Sequence, residues 1–438
     1  MAGGTWTAQN KARPGAYINF KGVSAPTTAV GSRGIVTLPL PMSWGAQVTE
    51  ILSLDLAAGK TLETIGYVVT DDEAQIYREA LKNCYKAIIY RVDTGGAKAT
   101  KTFGTLVATA KYAGIVGNRI SVAVVANSTK FDVITYVDGV QKDKQVALAT
   151  VAEVQDNAWV DFSGTGNLAA SAGAALTGGT NGTVNDSAYT AYLDAIQSYN
   201  WNTMGIPVDN ATVASAVETF IKLQRDTYGK KVQAVLYNYS GDYEGIISVD
   251  QGYKTANETV SATTFVAYVA GLTAGSEVNQ SNTYHTITGA VEIVGPKTDS
   301  QIEAALAAGK MVLSTRIDGA IVIEQDINTL HTFTVEKPYS FSKNRVIRTL
   351  DGINNDLALS FQKNYIGKVN NNEDGRNLYK ASVVGYLNTL QGISAIQNFD
   401  SSTDVVISAG EAIDAVVADL AIQPVDSMEK IYMTVLVS

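Results

Sequence analysis

Charge is scarce in this chain: 17% of its 438 residues are Asp, Glu, Lys or Arg, against about 25% in ordinary soluble domains. A surface so weakly charged suits a protein buried among its own copies. The formal net charge is −9, which leaves no basic excess to neutralise phosphates and argues against a nucleic-acid partner. Cysteine occurs once, as Cys84, so an intrachain disulfide and a thiolate metal site are both excluded. Its expected role is core filling. Histidine occurs twice, as His285 and His331, and neither stands at metal-ligand spacing. No run reaches about 18 apolar residues, and no basic segment is followed by an apolar one. Membrane insertion and a signal peptide are therefore not expected, and the protein is expected to be made and kept in the cytoplasm until something releases it.

Enzyme signatures are scarce too. Gly59-Lys60-Thr61 resembles the end of a P-loop, but the position of the first glycine is held by Leu54. No Gly-x-Ser-x-Gly elbow occurs. A Ser/His/Asp triad can be written on paper from His331 and Asp326, as it can in any chain of this length. The acidic run Asp71-Asp72-Glu73 reads as charge at a helix N-terminus. The expectation is no catalytic, metal or cofactor-binding residues.

What is present supports two to four domains, with 46% apolar residues to build their cores. Four of the eight prolines, Pro14, Pro26, Pro39 and Pro41, lie near the start, which reads as an extended arm ahead of a globular part. Residues 31–38 read as a buried strand. Residues 71–86 read as a helix with Ala74, Tyr77, Leu81 and Tyr85 on one stripe, followed by a strand over 87–92. Residues 95–182 contain no proline and alternate short β runs (105–110, 119–125, 131–137 and 140–146) with turns, Asp138-Gly139 being a two-residue hairpin signal. They predict a small β-sandwich. Beyond it the α/β pattern resumes, with a helix capped by Asp209, a strand over 232–237, helices over 259–272 and 299–308, and a hairpin over 311–324 turning at Asp318-Gly319. Two amphipathic helices follow Pro338. The first carries Val346, Leu350, Ile353, Leu357 and Phe361; the second, over 376–390, carries Leu378, Leu387 and Leu390.

The ends carry the strongest functional signal. Ile431, Met433, Val435 and Val437 fall on one face at a period of two, with Tyr432, Thr434 and Leu436 on the other. A two-sided apolar strand should be paired and covered. A strand over 414–423, the turn at Pro424 and this terminal strand are expected to form a hairpin with an open edge, and such an edge invites another chain. At the other end Arg13, Tyr17, Ile18 and Phe20 lie in a short extended segment. A six-residue strand added to a sheet edge gains about four to six backbone hydrogen bonds at a net ~0.5–1.5 kcal/mol each, plus ~1.5–3 kcal/mol per buried apolar side chain. Ordering it costs ~1–2 kcal/mol per residue. The surplus per arm is modest, and repetition over many copies makes it enough. Periodicity alone leaves open whether the ends pair within their own subunit. Charge is also uneven: residues 1–22 carry Lys11, Arg13 and Lys21 without an acid, and from Asp400 onward seven acids face Lys430 alone. Opposite ends favour head-to-tail contact, although solvated faces are the plainer reading. The 22 tyrosines, several near Gly or Asn, suit interfaces or ordinary strand packing equally.

Several runs taken together resemble one family, the tail sheath proteins of contractile phages and related phage-tail-like particles. They are Arg13-Pro-Gly-Ala-Tyr-Ile-Asn-Phe, Arg33-Gly-Ile-Val-Thr-Leu-Pro-Leu, Ala110-Lys-Tyr-Ala-Gly-Ile-Val-Gly-Asn-Arg-Ile-Ser-Val, Leu176-Thr-Gly-Gly-Thr-Asn-Gly, Glu324-Gln-Asp-Ile-Asn-Thr-Leu and Gln423-Pro-Val-Asp-Ser-Met-Glu-Lys-Ile-Tyr-Met-Thr-Val. The resemblance implies an α/β core of subtilisin-like, non-catalytic fold, an inserted β-sandwich and a C-terminal α+β domain with extended strand arms at both ends. The expected division is residues 1–22 (N-terminal arm), 23–94 (first part of the α/β domain), 95–182 (sandwich), 183–336 (middle α/β domain), 337–427 (C-terminal domain) and 428–438 (C-terminal arm). It further implies a helical homopolymer of hexameric rings around a tail tube protein, with baseplate and tail terminator proteins as further partners. Arg13, Tyr17, Ile18 and Phe20 would lie in one donor arm and Ile431, Met433, Val435 and Val437 in the other, with Val416, Ala418 and Leu420 in the acceptor hairpin. The tube contact would fall near 370–388. A self-assembling surface-layer or adhesin protein is the main alternative, and a subtilisin-like hydrolase the second.

Overall fold

The strand Ile35–Leu40 (β1) is apolar at nearly every position and buried on both faces, the mark of a central parallel strand covered by helices on both sides. The structure, a computed structural model, describes residues 28–437 and, ahead of them, only a backbone pairing of Gly3–Gly4 with Ala16–Tyr17. Arg13, Ile18 and Phe20 lie outside the described residues, and Tyr17 is described for its backbone alone. The chain divides into a larger unit, Ser32–Asn354 with Val425–Ser438, and a smaller one, Met1–Gly31 with Asn355–Pro424.

In the larger unit β1 is followed by β2 (Val48–Leu52), α1 (Gln75–Leu81) and β3 (Lys86–Arg91). Seven strands then build the sandwich: β4 (Thr100–Phe103), β5 (Leu106–Ala110), β6 (Ile120–Asn127), β7 (Lys130–Val137), β8 (Val140–Leu148), β9 (Val160–Gly164) and β10 (Ser171–Ala175). The chain returns through α2 (Asp186–Ile196), β11 (Thr203–Ile206), α3 (Ala211–Lys222), β12 (Gln233–Tyr237), β13 (Ile246–Val249), α4 (Ala262–Gly275), β14 (Lys310–Met311) and a hairpin of β15 (Leu313–Thr315) with β16 (Ile321–Ile323).

The main sheet runs β14-β13-β12-β11-β1-β3-β2, with every neighbouring pair parallel except β2 with β3. One face is covered by α4, which carries no charged residue and is buried from Phe265 to Ala274. A helix apolar all round belongs between two layers, and α4 indeed packs on both the sheet and α1. The other face is covered by α2 and α3, whose Tyr192, Leu193, Ile196, Val217, Phe220 and Ile221 meet Ile88, Met204, Ala234 and Leu236.

The sandwich joins this layer through two strands of chain, bridged at Thr94 and Thr183. Two of the runs singled out above meet there. Gly114 has φ of 129°, and a Cβ on it would strike the Ser43 carbonyl; at Gly182 a Cβ would stand 2.5 Å from the Thr94 carbonyl oxygen. Asn118 donates to Gly179 O (2.8 Å) and accepts from Gly179 N (2.9 Å), while Asn181 accepts from Ile115 N (3.0 Å). The Asp93 carboxylate accepts from Met42 N at 2.7 Å and Gly182 N at 3.2 Å, and it pairs with Arg91. The glycines admit the close approach and the amides tie it.

The smaller unit is built from the later part of α5 (Asn344–Asn364), α6 (Glu373–Gly392), β17 (Ile396–Gln397), β18 (Val405–Ala409), β19 (Val416–Leu420) and β20 (Gln423–Pro424). Asp356 accepts from Gly31 N (2.9 Å) and from the Tyr386 hydroxyl (2.8 Å), and Thr28 bonds Ser360 and Ser382.

Several expected elements move. The helix expected over 71–86 ends at Leu81 because the chain must already be extended at Lys86 to pair with β1, so Tyr85 falls outside it and is exposed. Asn210, not Asp209, caps α3, accepting from Thr212 N and Val213 N. The helix expected from residue 259 starts at Ala262, behind the Ser261 cap; Thr259–Val260 is spent as a strand. On α6 Leu378 is only half-buried, and Val383 and Tyr386 complete the buried stripe with Leu387 and Leu390. The helix α2 was not expected from the sequence. The expected hairpin of 414–423 with the terminal strand does not form: β19 pairs antiparallel with β18, Ile407 opposite Ala418, while Gln423–Pro424 pairs with Ile396–Gln397. The connection over 410–415, closed by Gly410 N donating to Ala415 O at 2.9 Å, brings β18 and β19 together locally.

Candidate functional site

Beyond Pro424 the chain adopts no regular structure up to Val437. Met428, Ile431, Tyr432, Met433, Val435, Leu436 and Val437 are each at least 70% exposed. Ile431, Met433, Val435 and Val437 therefore pair with no strand among the described residues, and their apolar surface is exposed. Such a contiguous exposed run marks an interaction surface rather than a resting state.

The root of this segment is held, in contrast to its tip. The Glu429 carboxylate accepts from Lys343 Nζ (2.5 Å), Thr283 Oγ1 (2.7 Å) and Gln325 Nε2 (3.2 Å). The side chains of Lys343 and Glu429 are 4% and 9% exposed. Burial alone would lower the Lys343 pKa, but the Glu429 carboxylate outweighs it and holds the ammonium above its ordinary value. The neighbouring run 324–330 is a polar staple. Asp326 accepts from Asn282 N (3.0 Å) and Asn344 Nδ2 (2.9 Å) and faces Arg348 at 3.4 Å; Asn328 donates to Phe341 O, and Thr329 to Tyr243 O. The Asp326, Asn328 and Thr329 side chains are buried and hydrogen-bonded in place.

In the smaller unit, the hairpin β18/β19 has Val405, Ile407 and Ala409 opposite Leu420, Ala418 and Val416. Val416 and Leu420 are half-buried and Ala418 is exposed. Val416 borders a groove with Phe361, Tyr365 and Tyr379; Phe361 and Tyr365 stack and Tyr379 meets both edge-on, with centroids 4.9–5.9 Å apart. Asn371 donates to Ile413 O (2.9 Å) and Ala415 O (2.8 Å), fastening the hairpin tip to the loop before α6. Among the described residues the hairpin is a sheet of two strands, so each outer edge offers unpaired backbone groups.

The places where catalysis would be sought are otherwise occupied. The order of the main sheet reverses between β1 and β11, and a crevice of about 460 Å³ opens there, as switch points commonly provide. It is lined by Pro39, Pro41 and Pro207, which lack N–H donors, and by the Asp186 carboxylate. His331 faces Asp242 and the Thr329 carbonyl, while Asp326 is committed to Asn282, Asn344 and Arg348, so the paper triad does not assemble. The Thr61 hydroxyl donates to Tyr67 O (2.9 Å) inside the fold. Cys84 is buried and its thiol is pushed up to about 12. His285 lies against the Tyr268 hydroxyl at 3.1 Å, with burial lowering its pKa. Among the described residues, no group of three His, Cys, Asp or Glu could hold a metal ion, and no helix is long and apolar enough to cross a membrane.

Known proteins bear on these surfaces. Four family domains match the chain in succession: the tail sheath protein Gp18 domain III N-terminal region over 33–92, the phage tail sheath protein beta-sandwich domain over 94–181, its central domain over 182–329, and the phage tail sheath C-terminal domain over 336–438. The phage-like element PBSX protein XkdK of Bacillus subtilis is 35% identical, covering 99% of each chain. The crystal structure of a sheath tail protein from Desulfitobacterium hafniense is 43% identical, superposes with a TM-score of 0.85 and covers 96% of this chain and 99% of that one. The helical sheath of the anti-feeding prophage, solved in its contracted state, shares the fold at 12% identity with a TM-score of 0.59, over 97% and 99% of the two chains.

Proposed function

The chain belongs to the phage tail sheath protein family, and from that premise we propose that it is the structural sheath subunit of a contractile tail. Copies polymerise as stacked six-fold rings around a tail tube, and compaction of the rings drives the tube through a bacterial envelope. One observation carries this reading: a run of exposed apolar side chains over 431–437 that finds no partner strand among the described residues. Left unpaired it costs solubility; added to an open edge such as that of β18/β19 in a second copy, it gains backbone hydrogen bonds and side-chain burial.

In this reading Ile431, Met433, Val435 and Val437 are one donor segment and Arg13, Tyr17, Ile18 and Phe20 belong to the other. Val416, Ala418 and Leu420 supply the accepting strand through its backbone edge. The subunit's domains follow the division over 1–22, 23–94, 95–182, 183–336, 337–427 and 428–438. The tube protein meets α6 and the loop before it, over 370–388, and baseplate and tail terminator proteins bound the polymer. The fold shared with a sheath solved contracted supports contraction. The particle is a virion tail or tail-like body assembled in the host cytoplasm.

Electron microscopy of the full chain beside a version lacking 428–438 tests this. Tubes from the first and folded monomers from the second are expected. Equal polymerisation of both would remove the arm from the mechanism, and failure of both in the presence of tube protein would remove the sheath assignment.

A further inference from the structure

Of the described residues 428–437, Glu429 alone is not exposed, and it sits between an exposed Met428 and an exposed Lys430. A carboxylate in a segment that merely trailed in solvent would stay hydrated. Here it is withdrawn from water and met by donors from three separate stretches of chain: Thr283, Gln325 and Lys343. Taking two charges out of water costs enough that a packed apolar pair would hold the segment about as well. The return from an ion pair is positional, because it closes only when these particular groups meet. Thr283 also ties the site to its surroundings, since its Oγ1 accepts from Asp326 N at 2.9 Å, and Asp326 is the centre of the buried network with Asn282, Asn344 and Arg348. The half-buried seat is thus tied directly to the buried network beneath it.

We propose that the Lys343–Glu429 pair, closed over by Thr283 and Gln325, is the anchor that fixes the C-terminal arm to its own subunit, so that only residues from 430 onward are given to a second copy of this chain. Residues 430–437 then reach roughly 26 Å at about 3.3 Å per residue, and this tether limits how far two linked subunits can separate when the assembly rearranges. The Lys343 and Glu429 side chains act as positioning groups. The inference rests on the sheath reading above, and the measurements separate the two.

In a Cys84→Ser background, a spin label at Met428 is expected to be ordered and one at Met433 freely mobile, in the unassembled protein. Glu429→Ala is expected to mobilise the label at 428 and to abolish tubes while the globular part keeps its circular dichroism. The double exchange Lys343→Glu with Glu429→Lys is expected to restore both the ordering and the tubes, which a generic packing role would not predict. Equal mobility at 428 and 433 in the parent protein, or Glu429→Ala tubes indistinguishable from those of the wild type, would overturn the anchor and leave the sheath reading standing. Should Glu429→Ala fail to fold, the parent label comparison still decides. Failure of the wild type to polymerise would overturn the sheath reading and the anchor's role with it.

Discussion

Arg225 and Asp351 form a doubly hydrogen-bonded pair at 2.6 and 2.8 Å, with side chains 4% and 8% exposed, and Arg225 also donates to Val232 O. Removing one partner strands the other charge in the interior, so Asp351→Ala should cost about 3–5 kcal/mol in urea unfolding; a loss below about 1 kcal/mol would mean that water reaches the site. A second residue reports on acid. Asp132 accepts from Asn127 Nδ2, Ala147 N and Lys144, and these bonds hold its pKa at about 2. A depressed carboxylate stabilises the fold above its unfolded pKa of about 3.9 and loses that contribution as pH falls through the folded value. Thermal melts between pH 5 and pH 2 should therefore fall more steeply in the wild type than in Asp132→Asn. Parallel slopes would acquit the carboxylate. Neither pairing was legible in the sequence, since partners 126 and 15 positions apart leave no local pattern.

At the scale of elements, the arm and the hairpin make opposite demands. Ile431→Lys, Met433→Lys and Val435→Lys together change only exposed positions, so the monomer's stability should move by no more than about 0.5 kcal/mol per site, while tube formation is lost because three charges would have to be buried. Tubes of normal yield from this triple variant would exclude the segment from any interface. The sandwich strands could be read closely because alternation and the Asp138-Gly139 turn, with both residues at positive φ, are local properties. The hairpin partner could not. Residues 405–409 and 431–437 both lie within a short connection of β19, so neither spacing nor composition along the chain chooses between them. The helix α2 was missed for a related reason: its Asn185 cap and its Tyr189, Tyr192, Leu193 and Ile196 stripe follow directly on a Gly/Thr/Asn stretch whose turn signals obscure the helix start.

For the molecule as a whole, the proposed strand exchange would couple folding to assembly. Partner binding stabilises the folded state by mass action, so the melting temperature of the full chain should rise with protein concentration once tubes form. That of the version lacking 428–438 should not. A concentration-independent melt for the full chain in its tubes would mean that the interfaces contribute nothing to folding stability.

The sequence alone carried the alternation of the sandwich strands, the scarcity of charge, the proline-free β region and the apolar character of residues 431–437, because these are compositional or depend on side chains a few positions apart. Tertiary structure set what joins distant parts of the chain: the order of the parallel sheet, the meeting of the 110–122 and 176–182 runs at the foot of the sandwich and the seat of Glu429 against Lys343. Closing a long loop is repaid only by contacts that exist once the rest of the fold is in place. No local pattern along the chain can announce them.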